Sequence, residues 1–265
     1  MKKKNNLSFT VICISLFLLF FTACVPQKKI KYLQSPIEEK IENTDTKSFK
    51  NDRDLSYKIQ SGDNLYIKVS SLDQKTSQLF DNNNNNNSNI LNSEMGVYLN
   101  SYTVDDNGNI NLPVIKQVNV KGLTIKEVRN TLQKIVNEYI VEATVFVKMV
   151  NFNVTLLGEV RRPGKYKIYQ DRINIFEAIG MGNDLTDFAD RKRIKLIRQT
   201  KTGYDIHYID MTKNDLLESK YYYLMPNDIV YAEPLKVKQF GFSTFPYSII
   251  FSTISATLLI LNYMK

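Results

Sequence analysis

The sequence predicts an α+β protein of two small folded units followed by a C-terminal transmembrane helix. Three observations lead there. Short runs of alternating apolar and polar residues are interleaved with two helices opened by capping boxes. One turn-plus-strand device occurs twice, as Ile59-Gln-Ser-Gly-Asp-Asn-Leu-Tyr66 and as Leu224-Met-Pro-Asn-Asp-Ile-Val-Tyr231. Finally, the 26 residues from Gln239 to Met264 carry no charge.

The first residues have the layout of an export signal. Lys2, Lys3 and Lys4 are a positive start, Leu7 to Phe21 an apolar core, and Thr22-Ala23-Cys24 a small-residue cleavage step. Phe21-Thr-Ala-Cys24 resembles a bacterial lipobox, which implies cleavage after residue 23 and lipid on Cys24; an ordinary signal peptide with an incidental Cys24 is the alternative. Cys13 leaves with residues 1–23, so one cysteine remains and no disulfide is expected. Removing Lys2, Lys3 and Lys4 with no acids lowers the formal charge from +8 to +5. Charges alternate along most of the rest, as on a solvated surface, which argues against nucleic acid as the partner.

Residues 24–54 are polar and rich in Lys, Glu and Asn, and are expected to be a mobile tether. Tyr57 to Val69 predicts two strands around a Ser61-Gly-Asp63 turn, with Leu65, Ile67 and Val69 on one face. Asp81 to Asn92, with six consecutive Asn at 82–87, is too polar to pack and is read as an inserted loop. Tyr102 to Ile115 predicts a hairpin with a type I′ turn at Asn107-Gly108. Asp105-x-Asn107-x-Asn109 is not a calcium loop, because Ile110 and Lys116 stand where Gly and Glu are needed. Thr124-Ile-Lys-Glu127 is a capping box opening a helix over 125–139, and residues 141–150 follow as a strand.

The second unit begins with a strand over 154–160, a turn at Arg161-Arg-Pro-Gly164 and a strand over 165–169. Asn174 with Glu177 opens a short helix that Gly180-Met-Gly182 stops, and strands follow over 194–199, 204–209 and 224–231. Beyond a linker, Pro246 to Met264 would rise about 28 Å as a helix, near a hydrocarbon core of about 30 Å. Ser248, Ser252, Ser255 and Asn262 recur at +4, +3 and +7, which puts them on one face. Several copies would turn that face towards a shared aqueous lumen, with Ile250, Leu258 and Leu261 towards lipid or neighbours.

Catalysis is poorly supplied, and no enzyme, cofactor or metal site is expected. His207 is the only histidine and is read as a surface strand residue, so no Ser/His/Asp set or histidine-rich metal site assembles. Asp105-Asp106, and Asp184 with Asp187, are better turn or cap residues than the paired acids of a glycosidase. Tyr221-Tyr-Tyr223 is either an edge strand with one ring inward or a sugar-stacking or kinase-target surface. Arg191, Lys192, Arg193 and Lys195 are expected on a solvated loop.

Tyr57-x-Ile-x-Ser-Gly-Asp63, Val104-x-Asp-x-Gly-x-Ile-x-Leu-Pro113, Val120-x-Gly-Leu-Thr124, Val154 to Gly164 and Pro226-x-Asp228 together resemble the bacterial outer-membrane polysaccharide (capsule and exopolysaccharide) export lipoproteins. The short Bacteroidetes type is most similar. The resemblance implies residues 1–23 as lipoprotein signal peptide, 24–54 as tether, 55–150 as polysaccharide-export domain, 151–235 as soluble-ligand-binding β-grasp domain and 236–265 as linker and C-terminal transmembrane helix. It further implies a homo-oligomeric ring in the outer membrane, with folded domains in the periplasm, that passes polysaccharide and stands over an inner-membrane co-polymerase or tyrosine kinase. A periplasmic glycan-binding or envelope-scaffolding lipoprotein without a channel is the alternative. The chain departs from the family at Lys116, where Gly is frequent, and at Asn183-Asp184, where a small residue is usual.

Overall fold

A computed structural model describes residues 30–34, 48–50, 57–72, 80, 93–200, 202–239 and 247–263. The signal segment, Cys24, most of the tether and the asparagine-rich loop lie outside the described residues. Two buried cores organise the rest, one on each side of residue 150.

The first core is built on β1 (Asn64–Ser70), which pairs antiparallel with β2 (Tyr102–Thr103) on one side and β5 (Thr144–Met149) on the other. Leu65, Ile67 and Val69 are buried, as the alternation requires. Helix α2 (Ile125–Asn137) follows the short α1 (Glu94–Leu99) and closes this core with Val128, Leu132 and Val136, one residue per turn. Both halves of its capping box are made: the Glu127 N–H donates to Thr124 Oγ1 at 3.2 Å and the Thr124 N–H to Glu127 Oε2 at 2.7 Å.

Two expectations in this unit are corrected. Residues 57–60 are not a strand; Ile59 instead exchanges backbone bonds with Gly122 and Leu123, at 2.8 and 2.9 Å, and is buried by that turn. The hairpin of β3 (Asn109–Leu112) and β4 (Lys116–Asn119) turns at 113–115, not at 107–108. Only Gly108 of the Asn107-Gly108 pair has positive φ, so that step is a tight turn from Asp105 and not a type I′ turn.

The second core is covered by a five-stranded sheet of β6 (Asn153–Gly158), β7 (Gly164–Lys167), β9 (Ala189–Gln199), β10 (Tyr204–Ile209) and β12 (Ile229–Pro234), in the order β10-β9-β12-β6-β7. Only the central β12 and β6 run parallel. Here Gly158 has φ +81°, and a Cβ on it would lie 2.1 Å from the Ala232 carbonyl oxygen. Helix α3 (Ile175–Met181) lays Ile175, Ala178 and Ile179 on the core and completes its Asn174/Glu177 capping box. A small ladder of β8 (Ile173–Asn174) with β11 (Tyr223–Leu224) flanks it.

The chain ends differ from expectation. Within the polar tether, residues 30–34 are docked on the second unit: the Leu33 and Gln34 N–H groups donate to the carbonyls of Met211 and Thr212, at 3.1 and 2.5 Å. Polar composition hid this, because backbone pairing and one tyrosine carry it. After β12 come α4 (Lys236–Gln239) and α5 (Tyr247–Tyr263). The 17 residues of α5 rise about 26 Å, below the roughly 30 Å of a hydrocarbon core, and Ser and Thr dilute its apolar content. Among the described residues no helix is long and apolar enough to cross a membrane, so the expected transmembrane helix is not found.

Candidate functional site

The repeated turn device has the same geometry in both units. Gly62 and Asn227 take positive φ, +89° and +65°, and the following Asp turns its carboxylate back on the turn. Asp63 accepts from the Gln60 N–H at 2.8 Å and Asp228 from the Met225 N–H at 2.7 Å. Their further partners differ. Asp63 also accepts from the Tyr57 hydroxyl at 2.9 Å. Burial pushes its carboxyl up, against the downward pull of the Gln60 N–H, Tyr57 and Asn151. Asp228, fully buried, takes a two-pronged bond from Arg198, Nε at 3.0 Å and Nη2 at 2.7 Å. Both aspartates are structural.

The two units meet around Asn151, whose carboxamide accepts from the Asn64 N–H at 3.1 Å and donates to the Gly62 carbonyl at 3.2 Å. Lys167 reaches Glu94 at 3.1 Å, and the Tyr169 hydroxyl bonds the same carboxylate, which holds it below the usual range. Lys148 reaches Asp171 at 2.6 Å. Beside that last pair opens a groove of about 910 Å³ between α2, β5 and the 171–172 turn. Tyr57, Lys126, Arg129, Asn130, Gln133, Lys148 and Arg172 are among its lining.

A second cluster gathers the two chain ends on the second unit. Tyr32 donates its hydroxyl to Asp184 at 2.6 Å, lies under the Arg191 guanidinium at 5.0 Å and meets Phe176 edge-on at 5.9 Å. Burial and then Asp184 push its phenol well above the ordinary range. On the outgoing side, the Leu235 N–H donates to the Phe188 carbonyl at 2.7 Å, and Lys238 reaches Glu159 at 2.5 Å while Thr186 donates to the same carboxylate at 2.6 Å. Burial works to raise the Glu159 carboxyl, but Lys238 and Thr186 hold it below its ordinary value.

Arg191 is buried in β9, with Arg193 and Lys195 on the same strand, so these cations are not a solvated loop; Arg193 and Lys195 lie over Tyr208 and pair with Glu233 at 3.7 and 2.6 Å. His207 is half-buried and stacks on Tyr221, centroids 4.2 Å apart, where a surface position was expected. Of the tyrosine run, Tyr221 and Tyr222 pack against the second core and Tyr223 belongs to β11. Asp105 accepts the Asn109 N–H at 2.7 Å and Asp184 the Leu185 N–H at 2.7 Å, the turn roles expected of them. Ser248, Ser252, Ser255 and Asn262 all lie on α5 and are exposed; Cys24 lies outside the described residues. The groove and the docked 30–34 segment were not found by sequence reasoning. Tyr32, an aromatic in a polar stretch, was the one visible signal of the docked segment, and the groove had none.

Residues 51–150 match the family described as polysaccharide biosynthesis/export protein. The chain carries a polysaccharide-export domain. That domain comprises the first core, and its Asp63 turn, Gly108 turn, α2 capping box and β5 wall of the groove all fall within the match. The match supports the resemblance to the export family and a role in polysaccharide export.

Proposed function

We propose that this protein is an outer-membrane lipoprotein that passes capsular or extracellular polysaccharide through an oligomeric channel without chemistry on the polymer. The observation that carries this is the export domain at residues 51–150. The second unit supports it: a hairpin, a helix and three further strands, with first and last strands parallel at the centre, is the order of a β-grasp domain. We assign 55–150 to the export domain and 151–235 to this soluble-ligand-binding domain.

The chain ends support a membrane-facing second unit. Tyr32 lies eight residue steps after Cys24, a reach of at most about 29 Å, so lipid on Cys24 would hold the Asp184–Arg191 end close to the bilayer. The C-terminal segment leaves from that same end. Alone, α5 is short for a bilayer, but outer membranes are thinner than average and adjust around short helices. In a ring of copies Ser248, Ser252, Ser255 and Asn262 would face a common lumen. An inner-membrane co-polymerase or tyrosine kinase is the expected partner across the periplasm.

The shortfall of α5 favours the second reading, a periplasmic glycan-binding or scaffolding lipoprotein with the helix as an anchor. The full chain, extracted in mild detergent and imaged as single particles, separates them. A ring with a continuous central channel, together with loss of surface polysaccharide on gene deletion, supports export; a monomer or dimer overturns the channel.

A further inference from the structure

We infer that the groove between α2, β5 and the 171–172 turn binds a segment of anionic polysaccharide. This deepens the export reading and rests on it. The groove is open along one side and holds about 910 Å³, room for a few sugar rings rather than a small ligand enclosed on all sides. Its charge is one-sided. Among its described lining residues Lys126, Arg129, Lys148 and Arg172 stand against one carboxylate, Asp171, and Lys148 and Asp171 neutralise each other at 2.6 Å. Three cations are left over. Lys126 and Arg129 are exposed and sit three residues apart on α2, hence on one helix face. Arg172 is held over the Tyr223 ring at 5.6 Å, which keeps its guanidinium at the groove without cancelling its charge.

The remaining lining suits a sugar. Asn130 adds an exposed carboxamide, and the Phe146 ring, 49% exposed on β5, adds an apolar face of the kind that stacks on a pyranose. Cations spread along an open trench, with hydrogen-bonding groups and one ring between them, fit a chain with repeated carboxylates better than a neutral polymer. Binding would be weak per sugar and repeated along the chain, as passage requires. The walls come from both units, and the Lys148–Asp171 pair joins them at the groove.

The test uses the full chain in detergent, with fluorescent oligogalacturonate as the anionic probe and a maltooligosaccharide of equal length as the neutral one. The expected result is oligogalacturonate binding that weakens with added salt, no matching affinity for the neutral probe, and a loss of about tenfold or more in Lys126→Glu/Arg129→Glu. Lys165→Glu/Lys192→Glu, which removes the same charge elsewhere on the surface, should leave binding within about twofold. Equal affinity for both probes, equal loss in both double variants, or no binding at all overturns the inference. So does a changed particle size in Lys126→Glu/Arg129→Glu, which would make the groove a contact between copies. Export is read separately: a ring that still delivers surface polysaccharide in cells while oligogalacturonate fails to bind leaves the export reading standing and removes only the groove. Absence of the ring removes the export reading whatever the probes do.

Discussion

Lys116 occupies a left-handed position, φ +68°, at the start of β4, two residues after Val114 at φ +65°. L-residues with a Cβ pay about 1–2 kcal/mol there and glycine does not. Lys116→Gly should therefore raise stability by about 1 kcal/mol, less the extra freedom glycine has when unfolded. Urea unfolding measures it, and a loss of stability would show that the Lys116 side chain does more in the turn than its exposure suggests. Asn183 and Asp184, the other departure from the family pattern, are also left-handed, φ +62° and +72°. Asn and Asp tolerate this better, so no comparable gain is expected there. Glu159 has a signed pH dependence. Its carboxyl is held below the ordinary 4.5 of the unfolded chain, so its contribution is present above that value and is lost as pH falls through the folded value. Glu159→Gln should cost about 1 kcal/mol at neutral pH, since Lys238 is partly exposed. The gap to the wild type should close below about pH 4.5. A gap independent of pH would mean that packing, not charge, holds α4.

The docked segment 30–34 is the element whose role can be isolated. Tyr32 supplies its only ring contacts, with Phe176 and Arg191, while Leu33 and Gln34 supply two backbone bonds that no substitution at 32 removes directly. Tyr32→Ala should cost about 1–3 kcal/mol. It should also release the whole segment, because the hydrogen bonds that remain cannot offset the ordering of five residues at roughly 1–2 kcal/mol each. Hydrogen exchange at the Leu33 and Gln34 amides reads this directly: both should lose protection in the variant while β9 and β12 keep theirs. Retained protection would mean that the backbone pairing with residues 211–213 holds the segment unaided.

For the whole molecule, the second unit is completed by pieces from outside its own stretch of chain. A fragment of residues 28–239 contains the 30–34 segment and Lys238; residues 50–236 contain neither. Both should be soluble and cooperative, since each core closes within 57–235, but the shorter one should melt roughly 4–8 °C lower for a loss of about 2 kcal/mol. Equal melting temperatures would show that the docked segment adds nothing to stability.

Much of this architecture was legible because it rests on local chemistry. The two capping boxes, the β1 alternation, the left-handed Gly62 and Asn227 with their aspartates, and strand 204–209 are each decided within a few residues by hydrogen bonds and backbone sterics. The motif resemblance likewise lay in such turns. Other features depend on partners distant in sequence. Whether residues 57–60 pair as a strand depended on Gly122 and Leu123, and whether Arg191 was solvated depended on Tyr32. The groove needed α2, β5 and Arg172 brought together from two units. By itself the sequence determined the Gly62 and Asn227 turns, the caps and the export-family motifs; the tertiary structure alone decided where the β3–β4 hairpin turns, where Tyr32 docks and which cations share a groove, because these follow from surfaces that exist only once the two cores have formed.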